Sequence, residues 1–179
     1  MPTHRDNLIE AAIRVLAEGG SRALTHRAVD QTAGVPPGTC SNHFRTRSAL
    51  TTAVADELER RDIRMSDDFD LASVRTGDAV AQLADAFVMA QLAHPNPQRA
   101  RLALATDSGV DLSAHHDRLR EIMVTVIRSA GVAAPESAAR MVADHVDGVL
   151  LHGLTLGTRS IHQGEVAEAV RRLLGADQH

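Results

Sequence analysis

Apolar residues recur along this chain at spacings of three and four, and no alternating stretch of useful length interrupts them, so the pattern predicts helices and no sheet. Over residues 3–18, Leu8, Ile9, Ala12, Ile13 and Leu16 fall on one side of an amphipathic helix that Gly19 and Gly20 should stop. A short helix over 26–33 follows, with Thr25 placed to cap its orphan N–H groups and Gly34 where the chain must turn sharply. Residues 37–43 form another stub, and Pro37 suits its first position because a missing N–H would be unpaired there anyway. A longer helix over 48–64 is rich in charge at its far end, and SDDFDLASVRTG (66–77) reads as a loop. Val80, Leu83, Ala84, Phe87 and Val88 then mark a helix over 78–92 that His94-Pro95-Asn96-Pro97 ends. Helices over 98–106 and 111–130 flank a break at Ser108-Gly109, and a turn at 131–135 leads to the longest and most apolar helix, 136–156. Residues 164–174 close the chain, giving an expected all-α fold of about nine helices without internal repeats.

The stretch from Thr25 to Leu50, THRAVDQTAGVPPGTCSNHFRTRSAL, has the layout of a helix-turn-helix, whose second helix enters the DNA major groove. Thr39, Ser41, Asn42 and His43 supply a polar outer face, while Val35, Cys40 and Phe44 point back toward a core. At these residues the sequence resembles the amino-terminal domain of the TetR family of bacterial transcriptional regulators. The likeness is carried in order by LIEAAIRVLAEGG, ALTHRAVDQTAGV, GT followed by NHF, and TRSAL, over roughly residues 3–58. Matched position by position, it implies groove-facing roles for Pro37, Gly38, Thr39 and Asn42, and phosphate contacts for Thr25, Ser41, His43 and Arg47. Family members usually carry a phosphate-contacting tyrosine at the place of Ser41, a serine at Pro36 and often a lysine at Arg47. The arginine keeps the charge and adds a fork suited to phosphate. Arg45 is a lesser candidate that serves equally well as a helix cap.

Composition changes this picture little. The chain has 179 residues, 44% hydrophobic and 23% charged, enough for one large or two small domains. Aromatics make up only 2%, and all 19 basic side chains are arginine. The net charge of −4 conceals an uneven distribution: +2 over residues 1–50 and −6 over 51–179, a mildly basic head on an acidic body. A single cysteine, no apolar run of membrane-spanning length and no signal-peptide layout lead to the expectation of a cytoplasmic protein. For Cys40 inside the recognition helix, the resemblance implies a small buried hydrophobe rather than a redox sensor, since family members usually carry an apolar residue there. No metal or other cofactor is expected: His115 and His116 diverge by about 100° on a helix, His145 and His152 lie seven apart, and no CxxC, HxxxH or HExxH occurs. GxSxG, P-loop and dinucleotide fingerprints are absent as well, so no enzyme is expected.

Two later features concern assembly and ligand. Val142, Val146, Val149, Gly153 and Leu156 line one face of the long helix, and Val166, Val170 and Leu173 form a stripe on the last. Two such helices from each of two subunits would make a four-helix bundle, and the family resemblance implies this homodimer. It also implies a small-molecule pocket among the middle helices, for which Phe87, Gln91, Leu102, Met123, Met141 and His145 are the candidates. The expected organisation is thus a DNA-binding domain over 1–47 and a ligand-binding and dimerisation domain over 48–179, joined by the 48–64 helix. The expected function is a transcriptional repressor that binds an inverted-repeat operator in double-stranded DNA and is released by an effector. The alternatives are a sequence-neutral architectural DNA binder and a small-molecule binder with a degenerate DNA head.

Overall fold

The computed structural model describes residues 3–106, 113–155 and 161–175, without the side chains of 65–68, 114 and 115. Among them are nine α-helices and no strand: α1 (His4–Ala23), α2 (His26–Ala33), α3 (Thr39–His43), α4 (Arg47–Asp68), α5 (Gly77–Ala93), α6 (Asn96–Ala105), α7 (Ser113–Ser129), α8 (Pro135–Thr155) and α9 (Glu165–Leu174). The expected break at Ser108-Gly109, the dimer candidate Leu156 and the side chain of His115 lie outside the described residues. None of the described helices is long and apolar enough to cross a membrane.

Local chemistry sets the helix ends. At the start of α1, Thr3 Oγ1 accepts from the Asp6 N–H at 3.2 Å while the Asp6 carboxylate accepts from the Thr3 N–H at 2.9 Å. The bond from the Thr3 backbone, then that from its side chain, holds the Asp6 carboxyl below its usual range. At the other end the backbone leaves helical geometry at Gly20, as the paired glycines predicted, but resumes for one more turn to Ala23. The segment expected to be a loop over 66–77 is shorter than that, because α4 extends to Asp68 and a 3-10 turn occupies Leu71–Ser73.

The described residues form two compact units. The first comprises α1, α2, α3, α6 and α4 as far as Arg64. Leu8, Ile13, Leu16, Val29, Leu50 and Val54 are wholly buried there, with Ala100 and Leu104 of α6 in the same core. Arg101 of α6 reaches α4, donating to the Asp62 carboxylate at 2.6 Å and to the Leu58 carbonyl at 3.4 Å.

The second unit comprises α5, α7, α8, α9 and the 3-10 turn, around Val80, Val88, Ile127, Val142, Val146 and Val170. Here the sequence-based dimer face needs correction. Val142, Val146, Val166 and Val170 are 5% exposed or less and fill the chain's own core. Val149 is half-buried against the same core. Gly153 is also used internally, since a Cβ there would meet Leu92 at 2.9 Å and Ile161 at 3.1 Å. Periodicity finds the apolar stripe of a helix but not which neighbour covers it; here α5, α7 and α9 pack on α8, and α5 and α8 on α9. Of the described residues of the predicted set only Leu173 is exposed, at 37%, and the large apolar side chains beside it in exposure are Met141 and Leu151.

Candidate nucleic-acid interface

The region from Thr25 to Arg47 is built on two stubby helices that make little structure of their own. Thr25 caps α2, its Oγ1 accepting from the Ala28 N–H at 3.1 Å. Gly34 ends the helix in the left-handed conformation, and the last carbonyls of α2 are met from α1: Arg14 donates to Thr32 O at 2.9 Å and Asn7 to Ala33 O at 3.3 Å. The turn then runs through Pro36 and Pro37, and α3 begins at Thr39, two residues later than the proline rule suggested. The reason is Gly38, whose φ of 92° places it outside any helix and suits only glycine.

α3 has five residues, no side-chain cap of its own, and an inner and outer face. Cys40 is fully buried and Phe44, just past the helix, is 4% exposed. Burial, then the nearby Asp30 carboxylate, pushes the Cys40 thiol up to about 11. Ser41, Asn42 and His43 are exposed, Thr39 is half-buried, and Pro37 is exposed on the preceding turn.

The hydrogen bonds at rest constrain what each hydroxyl can read. Thr39 Oγ1 donates to Pro36 O at 2.6 Å and Ser41 Oγ donates to Gly38 O at 2.9 Å. A carbonyl only accepts, so both hydroxyl protons are committed and both oxygens face outward as acceptors. Such an acceptor suits the amino groups of adenine or cytosine, whereas a phosphate demands a donor. Ser41 must therefore give up its Gly38 bond to touch a phosphate. Thr25 is the opposite case, because its oxygen already accepts and its proton remains for a phosphate. Arg47 is exposed and donates to Ser21 O at 2.7 Å, which fixes the start of α4 beside the end of α1.

Two contributors escaped the sequence pattern. Arg5 of α1 lies 5.3 Å from the centroid of the Phe44 ring, bringing a cation next to the end of α3. No motif marks it, since Arg5 and Phe44 are far apart in the chain and meet only in the folded unit. Asp30 of α2 is the other, buried with its carboxylate on the Cys40 N–H.

The effector candidates divide between the units. Phe87, Gln91, Met123, Met141 and His145 belong to the second, whereas Leu102 lies on α6 in the first. Phe87 and Met123 are half-buried against the second core. Met141 is 40% exposed, so it does not line an interior cavity. Gln91 is 5% exposed, and its Nε2 and that of half-buried His145 are buried without a hydrogen-bond partner among the described residues. His145 also borders a cleft of about 580 Å³ between α8 and α9, with Val149, His152, Ile161 and Arg172. No group of three or more His, Cys, Asp or Glu among the described residues is arranged to hold a metal ion.

Similarity to known proteins agrees with this geometry. Residues 8–54 match the model of bacterial regulatory proteins of the tetR family, and residues 111–176 match that of a tetracyclin repressor-like C-terminal domain. Among solved structures, SCO1917, a TetR-family member from Streptomyces coelicolor A3, is similar with 21% identity and a TM-score of 0.73, over 97% of this chain and 99% of that one. The multidrug binding protein EbrR in complex with malachite green has 24% identity and a TM-score of 0.75, with the same 97% and 99% coverage. A gamma-butyrolactone receptor, described as ArpA-like, has 21% identity and a TM-score of 0.68 over 97% of this chain and 86% of that one. No curated protein of known function matches the chain. With a family model matched at each end and a fold shared along nearly its whole length, the chain belongs to the TetR family and is a DNA-binding transcriptional regulator.

Proposed function

We propose that this regulator is a repressor that binds an inverted-repeat operator as a homodimer and leaves it when a small molecule enters the second unit. The observation that carries the reading is the outward face of α3: exposed Ser41, Asn42 and His43 beside half-buried Thr39, on a helix anchored from behind by Cys40. Asn42 can pair with adenine and Thr39 can accept from a base amino group, while Thr25, His43 and Arg47 supply backbone contacts that set register. Pro37 and Gly38 let the backbone approach the groove edge. Two copies related by a two-fold axis place their α3 helices about 34–36 Å apart, one turn of DNA. DNA reading belongs to residues 1–47, and effector binding and dimerisation to the second unit, within the 48–179 expected for them.

The effector reading is supported by the unpartnered nitrogens of Gln91 and His145, because a buried polar group without a partner costs about 1–3 kcal/mol until something satisfies it. EbrR with malachite green and the gamma-butyrolactone receptor are small-molecule binders on similar folds, which favours the same use here. The signal passes along α4, whose last residues belong to the second unit, and alters the separation of the two α3 helices. The effector must bind the DNA-released state more tightly than the bound one, and that difference bounds the response.

The test is a titration against the DNA flanking the chain's own gene, with unrelated DNA as competitor at physiological salt. Saturable binding to one inverted repeat is expected. Asn42→Ala should lose discrimination, worth about 1–3 kcal/mol for a good base pairing. Arg47→Ala should weaken all sequences nearly equally and reduce the salt slope by about one. Equal affinity for both DNAs would favour an architectural role instead.

A further inference from the structure

α3 is too short to organise itself. Five residues offer one hydrogen-bonded turn, which fixes several dihedrals for little return. The first N–H groups of such a helix normally take a side-chain acceptor from the N-cap residue, and here the N-cap is Gly38, which has none. The acceptor comes instead from another helix. Asp30 of α2 is 3% exposed; its Oδ2 accepts from the Gly38 N–H and its Oδ1 from the Cys40 N–H, each at 2.7 Å.

We infer that Asp30 is a specificity-positioning residue, a remote cap that holds α3 in the pose in which Thr39 and Asn42 meet base edges. Both carboxylate oxygens are used, one on the left-handed glycine before the helix and one on its second residue, so position and tilt are fixed together. The bonds are charge-assisted and short, and they are made by backbone N–H groups at the start of α3, leaving the exposed side chains of Ser41, Asn42 and His43 free of them. No contact between Asp30 and DNA is required. Phosphate contacts from Thr25 and Arg47 come from neighbouring segments with their own anchors, at Ala28 N and Ser21 O. Removing Asp30 therefore loosens base reading more than backbone binding.

The inference rests on the DNA-reading role of α3, and it is tested by two measurements, one independent of DNA. Amide hydrogen exchange in the free, full-length protein compares the wild type with Asp30→Ala and Asp30→Asn. In Asp30→Ala the Gly38 and Cys40 amides should exchange about tenfold faster or more, as expected for a lost charged acceptor, while the Ile13 and Leu16 amides in α1 stay protected. Asp30→Asn keeps one acceptor oxygen and should recover part of the protection. Affinities of the same variants for the operator and for unrelated DNA give the second measurement. Asp30→Ala should lose about tenfold or more on the operator and less than about threefold on unrelated DNA, with Asp30→Asn between. Unchanged exchange at Cys40, or equal losses on both DNAs, would overturn the inference. A wild type that discriminates between no DNAs would defeat the repressor reading, and the exchange data would still decide whether Asp30 latches α3.

Discussion

At the scale of single residues, the helix-turn-helix shows how much a side chain's chemistry depends on the face it occupies. Cys40 sits between Thr39 and Ser41, two groups turned toward the reading side, yet it is wholly enclosed. Its thiol, raised first by burial and then by Asp30 to about 11, is ionised in only about one molecule in a thousand at pH 8. Since the thiolate is the reactive form, alkylation of the native protein should run far more slowly than that of the same chain in denaturant. A mild oxidant should leave DNA binding unchanged. A time course of iodoacetamide labelling, read by mass, checks this: native and denatured rates within a factor of a few would return Cys40 to consideration as a sensor. The residue's character was legible in the sequence, because its spacing from Val35 and Phe44 set it on the inner face. Asp30 was not legible. It reads as one more polar residue on α2, and nothing local reveals that its carboxylate is buried under the next helix.

The same difficulty returns at the scale of elements. Helix number and type followed from periodicity, and the capping threonine of α2 and the Gly34 stop were visible as local chemistry. The start of α9 was not: Gly164 caps nothing, and Asp85 of α5 supplies the acceptor, its Oδ1 taking the Gly164 N–H at 2.9 Å and the Val166 N–H at 3.2 Å. The partners are about eighty positions apart, beyond any local pattern. Ion pairing between α1 and α4 is another such link. Glu57 is held by Arg60 at 2.5 Å, Arg61 at 3.0 Å and Arg64 at 3.1 Å, and Arg61 also pairs with Glu10 of α1. Burial works to raise the Glu57 carboxyl, but the Arg61 hydrogen bond and the charges of Arg60 and Arg61 outweigh it and hold it below its ordinary 4.5. A carboxyl depressed in the folded state contributes stability above its unfolded pKa and loses it as the pH falls through the folded value. The stability gap between wild type and Glu57→Gln should therefore be open at pH 7 and close on acidification below about 4.5. Denaturation midpoints across that range decide it; a gap that does not narrow would mean that the ladder contributes nothing through charge.

For the whole molecule, the proposed homodimer requires a surface through which two copies meet. Val142, Val146, Val166 and Val170 of the stripes named from sequence are spent inside the second unit, so a dimer must use what remains outside. Met141 and Leu151 are 40% and 44% exposed on α8, with Gly148 between them, and Leu173 is exposed on α9. Gly148 is the telling position. A Cβ built there meets no atom within 4 Å, so nothing in the chain's own packing requires glycine, unlike Gly153. A glycine inside a helix costs about 1 kcal/mol relative to alanine, and a second helix approaching closely would offset that cost. Gly148→Ala should then act with opposite signs at two levels. Helix propensity should stabilise the isolated chain, whereas the added methyl should hold the partner away and raise the concentration at which the dimer dissociates. Sedimentation over a dilution series measures the second effect, and denaturation at a concentration where the protein is monomeric measures the first. If the variant is more stable as a monomer and dimerises as well as the wild type, the exposed face of α8 is not where the copies meet. In that case the cleft between α8 and α9, bordered by His145, His152 and Arg172, is the next surface to alter.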